Sequence, residues 1–115
     1  MKLRSILLFF AFSALVVQAQ TLDDAKKNFG EGRYAEALPV FQSEYASSPE
    51  NAQINHWLGV CLYETGKILQ AEKYLAFAAK KNIPEAHFYL GQLFTLMYRF
   101  GDAELSVYGE YELQT

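Results

Sequence analysis

The segment Gly32-Arg33-Tyr34-Ala35-Glu36-Ala37 decides the fold, because the chain repeats its pattern twice more. A glycine, a large apolar residue two positions on and an alanine three positions after that return as Gly66-Lys67-Ile68-Leu69-Gln70-Ala71. The third copy has tyrosine in place of the glycine and reads Tyr98-Arg99-Phe100-Gly101-Asp102-Ala103. The final alanines of the three copies lie 34 and 32 residues apart. A fixed period of this length predicts a solenoid of stacked supersecondary units.

Each unit has two apolar stripes at helical spacing, one on either side of the turn. In the second unit the stripe before Gly66 consists of Ile54, Trp57, Leu58, Cys61 and Leu62, and the stripe after it of Ile68, Ala71, Leu75 and Ala78. Glycine tolerates the left-handed conformation that ends a helix, so Gly66 separates two helices. The sequence therefore predicts an all-α solenoid of about three antiparallel helix-turn-helix units, at about 21–48, 49–82 and 84–114.

Capping residues indicate where these helices begin. Thr21 and Asp24 form a plausible capping box for a helix from Leu22 to about Gly30. Ser48 and Pro49 predict that the second unit begins with Ser48 as the cap and Pro49 in the first turn. The sequence Asn82-Ile83-Pro84 marks the next boundary.

The third unit is expected to form a helix pair like the others. Its first apolar stripe is Ala86, Tyr89, Leu90, Leu93, Phe94 and Met97. The pattern predicts a turn near Arg99, followed by a helix through Ala103 and Val107.

These residues resemble the tetratricopeptide repeat family. The second unit follows the family order with Trp57-Leu58-Gly59, Leu62-Tyr63, Gly66, Ala71, Leu75 and Ala78, and the third with Tyr89-Leu90-Gly91, Phe94, Phe100, Ala103 and Val107. The resemblance covers Leu22 to about Tyr111. Departures include Tyr98 in a glycine position and Glu44 and Glu110 in an alanine position. The resemblance implies a scaffold or adaptor that binds another protein, a function that needs no cofactor.

The first nineteen residues have the pattern of a secretory signal peptide. Lys2 and Arg4 precede an uncharged stretch from Ile6 to Val17, and small residues offer a cleavage position after Ala19. The apolar run is shorter than the roughly 20 residues that span a bilayer, so we expect cleavage and no retained span. Export to the periplasm, or secretion, is the predicted location for residues 20–115.

The exported part is acidic and has one cysteine. Residues 20–115 contain eight basic and thirteen acidic residues, a formal charge of −5. Such a surface repels phosphate backbones, so nucleic acid is an unsuitable partner. Cys61 has no second cysteine with which to form an internal disulfide.

Neither a metal site nor a catalytic site is indicated by the spacing of the reactive residues. His56 and Cys61 are five residues apart, which separates them by about 140° around a helix, and His87 lies in another unit. Cys61 shares the apolar stripe of Leu58 and Leu62, which favours a buried position. The chain has none of the common nucleophile or phosphate-binding motifs. We therefore expect no enzyme activity, no metal and no cofactor.

The concave face of the solenoid is the predicted binding surface, since first helices line that side and it is the side solenoids use. A mixture of aromatic, amide and imidazole groups there suits a peptide or helix from a partner protein. By helical phase this surface comprises Lys26, Gln53, His56, Val60, Tyr63, Phe88, Gln92 and Thr95, flanked by Leu22, Phe29 and Leu96. Phe29 and Tyr63 could equally pack between neighbouring units.

The last predicted helix offers a second surface. Its apolar residues, which no later unit of the sequence covers, are Phe100, Leu105, Tyr108, Tyr111 and Leu113. Exposed apolar area of this kind marks an interface. Two alternatives stay open: the chain is the repeat part of a larger envelope protein or enzyme, or it self-assembles when its final helix docks head-to-tail on the first helix of another copy.

Overall fold

The computed structural model describes the backbone of residues 20–114 and the side chains of residues 20–100. The predicted signal peptide, residues 1–19, lies outside the described residues. Within the described residues five helices follow one another and there is no strand: α1 (Leu22–Gly30), α2 (Tyr34–Ser47), α3 (Ala52–Glu64), α4 (Ile68–Lys80) and α5 (Pro84–Gln114). Each helix packs against the next, and α5 also contacts α3. This arrangement confirms the predicted all-α helical repeat.

The first two turns share one geometry, built on glycine. Gly32 and Gly66 have φ angles of 78° and 86°. Residues that carry a Cβ disfavour this left-handed region of backbone conformation. In each turn the amide of the next residue closes the helix end, with Arg33 N donating to Asn28 O and Lys67 N to Leu62 O, both at 2.8 Å. The repeated Gly signal thus produces two equivalent helix hairpins, as the sequence predicts.

Close packing within the second hairpin depends on Gly59. A Cβ built at Gly59 would lie 2.8 Å from Cδ2 and Cγ of Leu75 and 3.1 Å from the Leu75 backbone nitrogen. Leu75 and Ala71 are completely buried. The absence of a side chain at Gly59 therefore sets the distance between α3 and α4.

Aromatic rings join the hairpins to one another. Phe41 of α2 stacks on Trp57 of α3, with ring centroids 5.3 Å apart, and Tyr45 of α2 meets Tyr74 of α4 edge-on at 5.0 Å. Phe41 is completely buried. The main core thus lies between successive hairpins, which is how stacked repeats hide apolar faces that one hairpin leaves open.

The predicted cap of the first helix in the second unit, Ser48, is wrong. Helix α3 begins at Ala52, and its cap is Asn51, whose side-chain oxygen accepts a hydrogen bond from Ile54 N at 3.0 Å. Asn55 Nδ2 donates to the carbonyls of Pro49 and Asn51, at 3.0 and 2.9 Å, and holds residues 48–51 as a turn. Ser48 instead follows the end of α2. At the other boundaries the predictions are confirmed: Thr21 and Asp24 form the capping box, and α5 begins at Pro84 after Asn82, whose φ is 66°.

The expected turn near Arg99 does not occur. One helix, α5, runs for 31 residues from Pro84 to Gln114, through the position where the first two units turn. Tyr98, which occupies the place of Gly32 and Gly66, contributes to this difference. A tyrosine disfavours the left-handed conformation by about 1–2 kcal/mol, so the helix continues. Up to Gln114, where the described backbone ends, the third unit therefore has a first helix and no second helix folded back on it.

Candidate functional site

Six of the eight predicted binding residues are accessible on the side of the first helices. Lys26, Gln53, Phe88, Gln92 and Thr95 are exposed, and Tyr63 is half-buried. They come from α1, α3 and α5, the first helices of the three units. The solenoid thus places side chains from three separate segments of the chain on helices of equivalent position.

The prediction that His56 and Val60 are accessible is wrong, because both side chains are buried. Val60 is completely inaccessible and His56 is 6 % exposed. Helical phase placed them on the open face, but aromatic contacts between successive first helices cover that part of α3. Phe29 of α1 meets the His56 ring at 6.2 Å, and Tyr63 meets Tyr89 of α5 at 5.4 Å. His56 and Val60 therefore belong to the packing between units.

Three of the six accessible residues of the predicted surface lie on α5. Phe88, Gln92 and Thr95 recur at intervals of four and three residues, so they share one face of the helix. The Phe88 side chain is 62 % exposed and meets Tyr89 edge-on at 5.5 Å. Thr95 Oγ1 donates to the Gly91 carbonyl at 2.9 Å, which leaves its oxygen able to accept. An aromatic ring thus lies beside an amide and a hydroxyl that can bind a peptide backbone.

A cationic group marks the other end of the surface. The Lys26 ammonium lies 5.2 Å from the centroid of the Trp57 ring, the distance of a cation–π contact. Trp57 is itself held by stacking on buried Phe41. Sequence reasoning assigned Trp57 to the buried stripe and missed this role, since nothing in the spacing shows that part of the indole stays accessible.

Two buried groups have altered proton affinities with no sign of reactivity. Burial lowers the pKa of His56 below its ordinary value, opposed by the negative charge of Glu85. Burial, and then the charge of Glu64, raises the pKa of the Cys61 thiol to about 12. Cys61 therefore stays a protonated, inaccessible thiol near neutral pH, which is the opposite of an activated nucleophile. Among the residues described, no three histidine, cysteine or acidic side chains converge on one point.

The predicted docking edge is described only in part. Phe100 is 40 % exposed. The side chains of Leu105, Tyr108 and Tyr111 lie outside the described residues. Two residues that the prediction did not assign to this edge are prominent: Tyr98 is 93 % exposed and Phe94, expected in the buried stripe, is 47 % exposed. Both follow from the missing fold-back after Tyr98, because that second helix is what covers the equivalent face of α3.

The clefts along the described residues are shallow. One lies at the turn between α1 and α2 and is lined by Arg33, Tyr34, Glu64 and their neighbours. A shallow, open cleft suits an extended surface contact better than an enclosed small molecule. No helix within the described part of the chain is both long enough and apolar enough to cross a membrane.

Comparison with known families agrees with this architecture. Two tetratricopeptide repeat family models match the chain, one over residues 28–82 and the other over residues 62–111. No curated protein and no solved structure matches it significantly. The family is generally a non-catalytic fold for protein–protein interaction, so the matches imply protein partners. With its phased glycine turns, its stacked helix hairpins and these two matches, the chain belongs to the tetratricopeptide repeat family.

Proposed function

We propose that this chain is a non-catalytic scaffold or adaptor that binds a peptide or helix of another protein on the face of its first helices. The binding surface consists of Lys26, Gln53, Tyr63, Phe88, Gln92 and Thr95. The observation that carries the proposal is the 62 % exposure of Phe88 on the same helix face as Gln92 and Thr95.

The chemistry of the surface defines the partner. An exposed phenyl ring beside an amide and a hydroxyl offers an apolar contact and hydrogen bonds to a main chain. Lys26 adds a positive charge at the α1 end, and its contact with Trp57 restricts where that charge lies. The partner is therefore a segment with an apolar side chain for Phe88 and an acidic group for Lys26.

Selection from a random peptide library tests this proposal without a known partner. We expect the purified protein to enrich peptides that combine an apolar anchor with an acidic residue. Binding of the selected peptides should fall roughly tenfold or more in the Phe88→Asp variant, because one exposed aromatic contact is lost.

The matched control is Phe94→Asp, which changes an exposed phenylalanine on a different face of the same helix. We expect it to keep the peptide affinity of the unchanged protein. No enrichment, or an equal loss in both variants, would contradict the proposed surface.

We also propose that the protein acts in the cell envelope after export. The support is the pattern of residues 1–19, with Lys2 and Arg4 before an uncharged stretch and Ala19 at the end. Sequencing the N-terminus of the protein purified from its source should give Gln20 as the first residue. A mature protein that keeps residues 1–19 would refute cleavage.

A further inference from the structure

Helix α5 carries an open stripe that no other described helix covers. His87, Gly91, Phe94 and Tyr98 follow one another at intervals of four, three and four residues, so they share one face. All four are exposed, Phe94 by 47 % and Tyr98 by 93 %. Two large aromatic rings at helical spacing on an open face mark an interaction surface.

The second unit shows what such a face normally contacts. The equivalent positions of the second unit are Asn55, Gly59 and Leu62 of α3 and Gly66 of the turn after it, and Asn55 is 2 % and Leu62 3 % exposed. Leu75 of α4 lies against Gly59 there, whereas a Cβ built at Gly91 meets no atom within 4 Å in the part of the chain described. The stripe of α5 thus corresponds to a face on which a helix packs in the second unit, but no described helix packs on it in the third.

The same spacing continues through the rest of α5. After Tyr98 the next positions, at intervals of three, four, three and four, are Gly101, Leu105, Tyr108 and Glu112. The backbone of α5 is helical through all of them. Eight positions alternating by four and three have the spacing of a coiled-coil seam, over about 37 Å of helix.

This seam is complementary to itself when two helices run antiparallel. By helical register, the sequence positions that then lie at the same level are His87 and Glu112, Gly91 and Tyr108, Phe94 and Leu105, and Tyr98 and Gly101. Two of these pairs place a tyrosine opposite a glycine, one joins two apolar residues, and one joins a histidine to a carboxylate. In two of the four pairs a large residue is thus matched with a glycine, which allows close helix packing.

We propose that a second copy of this chain covers the stripe, so that two α5 helices form an antiparallel coiled coil about a two-fold axis between residues 99 and 100. Each copy contributes the same surface, so the assembly closes as a dimer. The head-to-tail contact considered from the sequence would instead give rings or filaments.

The alternative occupant is the chain's own segment 103–113, folded back as in the other units. That hairpin would place Val107 against Gly91, as Leu75 lies against Gly59, and would need Tyr98 to adopt the conformation of Gly32 and Gly66. The continuous α5 favours the second copy.

Sedimentation equilibrium of the purified protein tests the dimer and separates it from peptide binding. We expect a concentration-dependent dimer that Phe94→Asp weakens roughly 100-fold, because two apolar contacts are lost per dimer. Phe88→Asp, which changes an exposed phenylalanine outside the seam, should leave the dimer constant unchanged. A strict monomer at high concentration, or equal loss in both variants, would overturn the proposal whether or not peptides bind.

Engineered disulfides test the register and remain informative if Phe94→Asp fails to fold. Oxidation of the double variant Phe94→Cys/Leu105→Cys should give a covalent dimer on a non-reducing gel, whereas Phe94→Cys alone should not, because antiparallel packing keeps the two copies of position 94 about 16 Å apart. Cys61 is buried and does not compete. A disulfide within one chain in Gly91→Cys/Val107→Cys, or no dimer from the 94/105 pair, would refute the proposed seam.

Discussion

The two equivalent glycines, Gly59 and Gly91, should respond in opposite directions to the same substitution. Gly59 faces Leu75, and an added Cβ would lie 2.8 Å from two side-chain carbons and 3.1 Å from a backbone nitrogen. Gly91 faces open space in the described structure. Gly59→Ala and Gly91→Ala therefore form a matched pair with the same chemistry and different surroundings.

The magnitudes follow from two opposing effects. Alanine favours a helix over glycine by about 1 kcal/mol, which applies at both positions. Overpacking a core typically costs about 1–3 kcal/mol, and it applies only at Gly59 because the Leu75 backbone limits how far the side chain can retreat. We expect the free energy of unfolding to rise by about 1 kcal/mol in Gly91→Ala and to fall by up to about 2 kcal/mol in Gly59→Ala.

Urea unfolding at low protein concentration measures both values. Helical circular dichroism and the fluorescence of Trp57, the single tryptophan, supply two independent signals. A double-mutant cycle with Leu75→Ala gives the physical cause: removing the Leu75 side chain should abolish most of the penalty at Gly59. If Gly59→Ala stabilises the protein as much as Gly91→Ala, the close approach of α3 and α4 is not as described and the reasoning fails.

Three further predictions concern the turns, the caps and the buried histidine. Gly66→Ala should lower the free energy of unfolding by about 1–2 kcal/mol because φ is 86° there, while Tyr98→Ala, in the matching position of a continuous helix, should change it by less than about 0.5 kcal/mol in urea unfolding. Asn51→Ala should cost about 1 kcal/mol by thermal or urea unfolding through loss of the cap on α3, and an equal loss in Ser48→Ala would show that the cap has been misassigned. Burial lowers the pKa of His56 in the folded state, so the unfolded chain binds more protons at this residue. The protein should therefore be most stable above the ordinary histidine pKa and should lose free energy of unfolding as the pH falls through and below about 6.5. Urea titrations between pH 8 and 5 should show a smaller loss in His56→Gln than in the unchanged protein, and an equal loss in the two would refute the assignment.

Much of the repeat architecture could be predicted because its causes are local. The spacing of apolar residues fixes which face of each helix is buried, and Gly32 and Gly66 end helices through their own backbone freedom. The capping box at Thr21 acts within four residues. The cap of α3 was misplaced for an equally local reason: Asn51 competes with Ser48, and only the hydrogen bonds of Asn55 show which one holds the turn.

The candidate binding surface was predicted only in part, because accessibility depends on residues distant in sequence. Helical phase grouped His56 and Val60 with Phe88 and Gln92, which occupy the equivalent positions in the next unit. The first pair is buried and the second exposed, since α3 has neighbours on both sides and α5 has a described neighbour on one side only. Helical phase predicts the direction in which a side chain points from its helix. Whether that side chain is buried depends on which other helices lie in that direction.

The sequence by itself determined that the chain is built of helix hairpins, since the repeat period, the apolar stripes and the glycine turns act within each unit. Only the tertiary structure decided that α5 continues through Tyr98 and that the stripe around Gly91 stays open. The physical reason is that one turn position contributes only about 1–2 kcal/mol, a preference that packing between helices can support or override.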